Sequence, residues 1–161
     1  MRAEAPAFLV DTNVLSRRGD QLPGSPVERW VRAYASLIRV SVITVAEVRR
    51  GLVLAQRKLD RAANARTRAR EQAKLDGKIA WYGVLRSRFA DRIEPIDADV
   101  AERWADVSVD FPSLRDGDKA ILATALVRGY GVATRNLRDF RNAGVPLIDP
   151  FDLDTWGPAR A

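Results

Sequence analysis

Five short strand-like runs alternate along this chain with longer stretches of helical periodicity. The runs occupy residues 7–10, 38–42, 93–96, 131–134 and 145–148. The helical stretches occupy residues 27–36, 44–59, 79–89, 99–109 and 118–128, and Gly129 stands where the last of them needs a C-cap. Strands that alternate with helices build a parallel sheet with helices on both faces. The predicted fold is therefore α/β, a three-layer α/β/α sandwich with a central, mainly parallel sheet.

Length and composition agree with one folded domain. Of the 161 residues, 47% are apolar and 30% are charged, as in an ordinary globular protein. We predict a single domain over residues 1–161. No apolar stretch approaches the roughly 20 residues of a membrane-spanning helix, and the first residues lack the apolar core of a signal peptide. We therefore expect a cytoplasmic protein without membrane association.

The charge of the chain is positive and unevenly distributed. A net charge of +6 favours an anionic partner, and nucleic acid is the leading candidate. Residues 57–78 hold eight Lys and Arg side chains against three Asp and Glu, a net charge of +5. This segment is rich in alanine and lacks proline. We therefore predict a helical, solvent-facing arm, a basic helical insertion at about residues 57–78.

The chain contains neither histidine nor cysteine. Their absence excludes disulfides, thiolate or imidazole zinc sites, cysteine nucleophiles and the Ser-His-Asp triad. Any hydrolysis by this chain must therefore use carboxylates, a lysine or metal-activated water.

Three acidic residues stand at the borders of predicted elements. Asp11 ends the first strand, Glu47 lies in the helical stretch after the second strand, and Asp118 opens the last helical stretch. Each also has a structural explanation. Asp11 could cap a helix that begins near Thr12. Asp118 lies in a predicted first helical turn, where the helix dipole favours a negative charge. Thr44 and Glu47 have the spacing of a capping box.

The predicted topology brings these acids towards one edge of the sheet. Parallel sheets bind ligands outside the carboxyl ends of their strands. Asp11 follows such an end directly, and Asn136 and Asp139 follow the end of the fourth strand. If the fold brings the acids together, they form a hard-oxygen site suited to Mg²⁺ or Mn²⁺.

Four blocks of this sequence resemble, in order, the motifs of PIN-domain nucleases, especially VapC-type toxins. The blocks are LVDTNVL at 9–15, SVITVAEVRRG at 41–51, DKAILATA at 118–125 and GVATRNLRDF at 131–140. The resemblance runs from Phe8 to about Pro150. It implies a PIN-like fold and a Mg²⁺- or Mn²⁺-dependent endoribonuclease, usually the toxin of a toxin–antitoxin pair. It also implies RNA, a cognate antitoxin and a second copy of the chain as partners.

The resemblance carries roles to particular residues. Asp11, Glu47 and Asp118 correspond to the acidic metal-site residues of the family, so we predict them to be both metal-binding and catalytic. Asn136 stands where some relatives carry an acid, and we predict Asp139 as the fourth catalytic acid.

A second set of residues is predicted to bind substrate. Thr134 resembles the polar residue that holds a substrate phosphate or a metal-bound water. Arg135, beside it, could hold RNA backbone. The predicted substrate-binding residues are Thr134, Asn136, Asn13 and Arg135.

Two other functions compete with a nuclease. A catalytically inactive PIN-like module that binds RNA or an antitoxin is favoured by Asn136 in place of an acid. A Mg²⁺-dependent phosphatase or receiver domain also uses an aspartate after a first strand. The phosphatase needs a second aspartate where Asn13 stands, and the receiver needs an early acidic pair that the chain lacks.

Overall fold

The computed structural model describes residues 6–15 and 24–156, in which five parallel strands form one sheet. The strands are β1 Phe8–Val10, β2 Ile38–Ser41, β3 Ile93–Glu94, β4 Gly131–Ala133 and β5 Leu147–Ile148. Their order across the sheet is β3-β2-β1-β4-β5, and every neighbouring pair is parallel. Each strand lies in one of the predicted strand-like runs, which confirms the predicted sheet.

Within the described ranges, six α-helices connect and cover the strands. They are α1 Thr12–Leu15, α2 Pro26–Ala33, α3 Val42–Asp60, α4 Ala65–Arg88, α5 Ala98–Asp110 and α6 Asp116–Arg128, followed by a 3₁₀ turn at Leu153–Thr155. Gly129 ends α6 in the left-handed conformation (φ 69°), as predicted. None of the helices in the described ranges combines the length and apolarity needed to cross a membrane.

Two hydrophobic clusters separate the sheet from its helices, one on each face. Alternate residues of β1 point in opposite directions, because successive side chains of a strand face opposite sides. Phe8 and Val10 join a cluster that includes Trp30 of α2 and Leu85 of α4. Leu9 joins the other cluster, which is built mainly from α5 and α6. This arrangement is the predicted three-layer α/β/α sandwich.

The basic segment at residues 57–78 exposes all eight of its Lys and Arg side chains to solvent. The chain turns between α3 and α4, where Asn64 caps α4 by accepting a hydrogen bond from the amide of Thr67 at 2.9 Å. The two helices then pack antiparallel, as a hairpin. Its own small core contains Leu52, Ala55, Leu59 and Leu75. The segment is mainly helical, and within it Leu59 of α3 and Leu75 of α4 are buried where the two helices meet.

Candidate active site at the carboxyl edge of the sheet

Asp11 lies at the carboxyl end of the central strand and is only 4% exposed. Thr134, at the end of the neighbouring β4, donates its hydroxyl to Asp11 Oδ2 at 2.8 Å. Asn13 Nδ2 donates to the same oxygen at 2.6 Å. Burial raises the pKa of Asp11, the hydrogen bond from Thr134 opposes this, and the charges of Asp118 and Glu47 raise it further. The carboxylate is therefore held firmly in a setting that disfavours its own charge.

Asp118 lies in the first turn of α6 and is 5% exposed. Its partner is Arg115, the N-cap residue of the same helix. Arg115 Nε donates to Asp118 Oδ2 at 3.0 Å, and Nη2 donates to Oδ1 at 3.4 Å. The helix begins at Asp116, and no backbone amide of its first turn donates a hydrogen bond to the side chain of the N-cap residue. Asp118 is therefore an ion-paired side chain in the first turn, where the helix dipole also favours a negative charge.

Glu47 reaches the same site from the second turn of α3. Ser41 caps this helix by accepting a hydrogen bond from the amide of Ile43 at 3.1 Å. The capping-box interpretation of Thr44 and Glu47 is therefore wrong, because the helix begins at Val42 and both residues lie inside it. The hydroxyl of Thr12 donates to Glu47 Oε2. An exposed glutamate is thus tied to the residue that follows Asp11.

The first turn of α6 also packs against Glu47. A Cβ placed on Gly117 would lie 3.0 Å from Glu47 Oε1, which is closer than most real contacts of a Cβ. The absence of a side chain at Gly117 therefore lets α6 bring Asp118 beside α3.

The three carboxylates form one electrostatic unit. Asp118 and Glu47 both raise the pKa of Asp11, and all three acids raise the pKa of Arg115, with Asp118 contributing most. In the described part of the chain, no three acidic side chains are arranged as a preformed cage for a metal ion. A Mg²⁺ site commonly takes one or two carboxylates and keeps several waters. The hard oxygens and the mutual repulsion of these acids fit such a cation.

The remaining predicted site residues surround this unit in different ways. Thr134 is fully buried, and its hydroxyl accepts from the amide of Asn136 at 3.0 Å. Its observed contacts orient Asp11, while a contact with substrate stays a prediction. Asn136 donates its side-chain amide to Asp139, which is exposed. The guanidinium of Arg135 lies 5.0 Å from the centre of the Phe151 ring.

Asn13 also links the loop after β4 to the first acid. Its Oδ1 accepts a hydrogen bond from the amide of Arg135 at 3.3 Å, while its Nδ2 binds Asp11. The predicted residues from the first and fourth sequence blocks therefore meet at one edge of the sheet.

Sequence reasoning missed three residues that shape this site, namely Thr12, Arg115 and Gly117. Arg115 precedes Asp118 by three residues, but it is an extended N-cap residue and lies outside the helix, so helical spacing does not predict their contact. The contact of Thr12 with Glu47 joins residues 35 apart in the chain, so only the folded structure reveals it.

The fold and the site define a class: α/β domains with buried carboxylates at the carboxyl edge of a parallel sheet. The chain belongs to the PIN domain family, which it matches over residues 8–146. It is 30% identical over 157 residues to VapC ribonuclease Y4jK of Sinorhizobium fredii, with 94% of this chain and 99% of the relative covered.

Solved structures show the same similarity. The structure of FitAB bound to an IR36 DNA fragment contains a chain with a TM-score of 0.67 and 28% identity, over 91% of this chain and 96% of that one. A toxin–antitoxin complex from Klebsiella pneumoniae contains a chain with a TM-score of 0.56 and 27% identity, over 91% and 99% of the two chains. The likeness thus extends over nearly the whole length of each protein.

Proposed function

We propose that this protein is an endoribonuclease that hydrolyses RNA phosphodiester bonds with the help of Mg²⁺ or Mn²⁺, and that it is the toxin of a toxin–antitoxin pair. The observation that carries the proposal is the coupling of buried Asp11 and Asp118 with Glu47 at the carboxyl edge of the sheet. Membership of the PIN family and the likeness to a VapC ribonuclease support the same chemistry.

The residues of the site divide into ligands and positioning groups. Asp11 and Asp118 bind the cation, and Glu47 binds it or orients the attacking water. Thr134 and Asn13 hold Asp11 in place through its Oδ2 atom, and Thr12 does the same for Glu47. The bound cation supplies a water of lowered pKa and charge stabilisation at the phosphate. In-line attack by water leaves a 5′-phosphate and a 3′-hydroxyl.

RNA affinity comes from basic residues around the site. The net charge of +6 gives the protein a positive field, and Arg49, Arg50 and Arg135 are exposed close to the acidic residues in sequence. Arginine side chains that neutralise RNA phosphates release counterions, so RNA affinity falls steeply as salt rises.

The fourth acid of the proposed site is Asp139, which accepts a hydrogen bond from the side-chain amide of Asn136.

A cognate antitoxin is the proposed protein partner. The structures of a Klebsiella toxin–antitoxin complex and of FitAB contain chains similar to this one over most of its length. A basic surface suits an antitoxin segment that carries acidic side chains. A homodimer is part of the same proposal, and sedimentation of the purified chain tests it.

Cleavage of structured RNA by the purified protein tests the nuclease. We expect products with 5′-phosphate ends in Mg²⁺ or Mn²⁺ and none in EDTA. Asp11→Asn and Asp118→Asn should each lose the activity while keeping the fold, as judged by circular dichroism. Cleavage that survives both substitutions would contradict the assigned site.

A second candidate function is an inactive PIN-like module that binds RNA or an antitoxin. The observation that favours it is the amide of Asn136 in a position where an acid would strengthen the site, with its hydrogen bond directed to exposed Asp139. Tight, salt-sensitive binding of several RNAs without cleavage in either metal would select this function. Asn136→Asp should then increase cation binding, because it adds a carboxylate to the edge.

A further inference from the structure

Arg115 places a guanidinium on one of the carboxylates assigned to the cation. Its two hydrogen bonds engage both oxygens of Asp118, at 3.0 and 3.4 Å. The Arg115 side chain keeps 78% of its surface exposed, whereas that of Asp118 keeps 7%. An exposed guanidinium thus covers a buried carboxylate from the solvent side.

The charge of Arg115 acts on the whole acidic unit. Its hydrogen bonds with Asp118 and the charge of that residue raise the pKa of Arg115, and Asp11 and Glu47 add smaller contributions in the same direction. Lys119 in the next turn differs, because its Nζ lies 3.5 Å from the exposed carboxylate of Asp116. Of these two basic residues at the start of α6, Arg115 is therefore the one that pairs with the acidic site, while Lys119 pairs with Asp116.

We infer that Arg115 is a built-in counter-ion of the acidic site, which a divalent cation must displace from Asp118. The inference rests on the proposed function, because Asp118 is a cation ligand only under that function. The guanidinium occupies lone pairs of both carboxylate oxygens and repels an approaching cation. Its exposed side chain can leave the carboxylate at small cost. Arg115 therefore stabilises the site without metal and weakens its affinity for metal.

Binding of Mn²⁺ to the full chain, measured by calorimetry, tests this inference. Arg115→Ala should bind Mn²⁺ about fivefold more tightly than the unmodified protein, the ratio expected when one partly exposed ion pair no longer competes. It should also melt at a lower temperature without metal and gain more from saturating Mn²⁺.

Arg103→Ala is the matched control. Arg103 Nη1 donates to Asp106 at 3.4 Å with the same three-residue spacing, on α5. Removing it should leave the Mn²⁺ affinity unchanged. Equal affinities of Arg115→Ala and the unmodified protein would overturn the inference. Weaker binding by Arg115→Ala would overturn it too, because Arg115 would then prepare Asp118 for the cation.

A spectroscopic measurement keeps the test valid if Arg115→Ala folds poorly. The Nε–H resonance of Arg115 in the unmodified protein is identified by its absence in Arg115→Lys. Saturating Mg²⁺ should shift this resonance and accelerate exchange of its proton with water. A resonance that stays unchanged while Mg²⁺ binds would overturn the inference alone. Absence of Mg²⁺ and Mn²⁺ binding in every variant would overturn the cation dependence in the proposed function, and the inference with it.

Discussion

Gly117 shows how a missing side chain shapes the acidic site. In an exposed helix, Gly→Ala usually stabilises by up to about 1 kcal/mol. At Gly117 the new Cβ would meet Glu47 Oε1 at 3.0 Å, so the glutamate has to move by a few tenths of an ångström. We expect Gly117→Ala to keep or raise the melting temperature and to lower kcat for RNA cleavage about tenfold, since small misplacements of catalytic groups are costly.

Gly83 provides the control for this prediction. It also lies in a helix, α4, and a Cβ there would meet no atom within 4 Å. Gly83→Ala should therefore raise stability without changing kcat. Full activity of Gly117→Ala would mean that the position of Glu47 does not limit the reaction.

At the scale of elements, the hairpin of α3 and α4 is part of the folded core. Leu75 is 5% exposed and packs with Leu52, Ala55 and Leu59. We expect Leu75→Ala to lower the free energy of unfolding by about 2–3 kcal/mol, the lower part of the range for buried leucine, because this cluster is small. Urea denaturation measures the change. Arg68→Ala in the same helix is exposed and should change stability little.

The hairpin also marks the limit of prediction from this sequence. Strands β1 and β4 were predictable because they are short apolar runs whose residues are all buried. The turn between α3 and α4 was not, since it contains neither glycine nor proline; Asn64, a preferred N-cap, was the available signal.

The contacts of the candidate site were likewise only partly predictable from the sequence. That Asp11 and Thr134 meet follows from two parallel strands that end at one edge. The ion pair of Arg115 with Asp118 depends on the extended backbone of the N-cap, which local propensity does not fix. The packing of Glu47 against Gly117 depends on two helices that are distant in sequence.

The outer surface of the hairpin is the place to test RNA affinity under the proposed function. Arg61 follows Glu47 by 14 residues, which places the hairpin turn about 20 Å along α3 from the acidic site. We expect combined Arg61→Ala, Arg66→Ala and Arg68→Ala to weaken binding of structured RNA and to leave kcat at saturation unchanged. The slope of log affinity against log salt should decrease by about 0.7–0.9 for each phosphate that the variant no longer neutralises.

A charge-matched variant controls for the loss of net charge alone. Arg29, Arg86 and Arg103 are exposed and lie outside the hairpin turn. If their combined replacement by alanine weakens RNA binding as much, the hairpin has no special role. Short RNA substrates, which cannot span 20 Å, should be insensitive to both variants.

At the scale of the whole molecule, the raised pKa of Asp11 links stability to pH. Because burial raises this pKa in the folded state, the folded protein holds the proton more tightly than the unfolded chain does. Tighter proton binding by the folded protein stabilises it at pH values below the ordinary aspartate pKa. This stabilisation is lost as the pH rises through the raised pKa of Asp11. In EDTA, the melting temperature of Asp11→Asn minus that of the unmodified protein should therefore increase with pH across this window.

Asp97 gives the opposite sign and so controls for other titrating groups. The hydrogen bond from Arg128 lowers the pKa of Asp97, so its charged form stabilises the fold once pH exceeds the ordinary value. The melting temperature of Asp97→Asn minus that of the unmodified protein should then decrease as pH rises. If the melting temperature of Asp11→Asn minus that of the unmodified protein does not vary with pH, the charge of Asp11 does not destabilise the fold.

A bound cation should offset the burial and the charge repulsion that disfavour the ionised Asp11. A ligand at a hundredfold excess over its Kd stabilises a folded protein by about 2.7 kcal/mol. Saturating Mg²⁺ should therefore raise the melting temperature of the unmodified protein and of Asp97→Asn alike, and raise that of Asp11→Asn much less. At neutral pH, the melting temperature of Asp11→Asn minus that of the unmodified protein should therefore be lower in Mg²⁺ than in EDTA, because the cation neutralises the repulsion that this substitution relieves. An equal Mg²⁺-induced shift in all three proteins would place the bound cation away from Asp11.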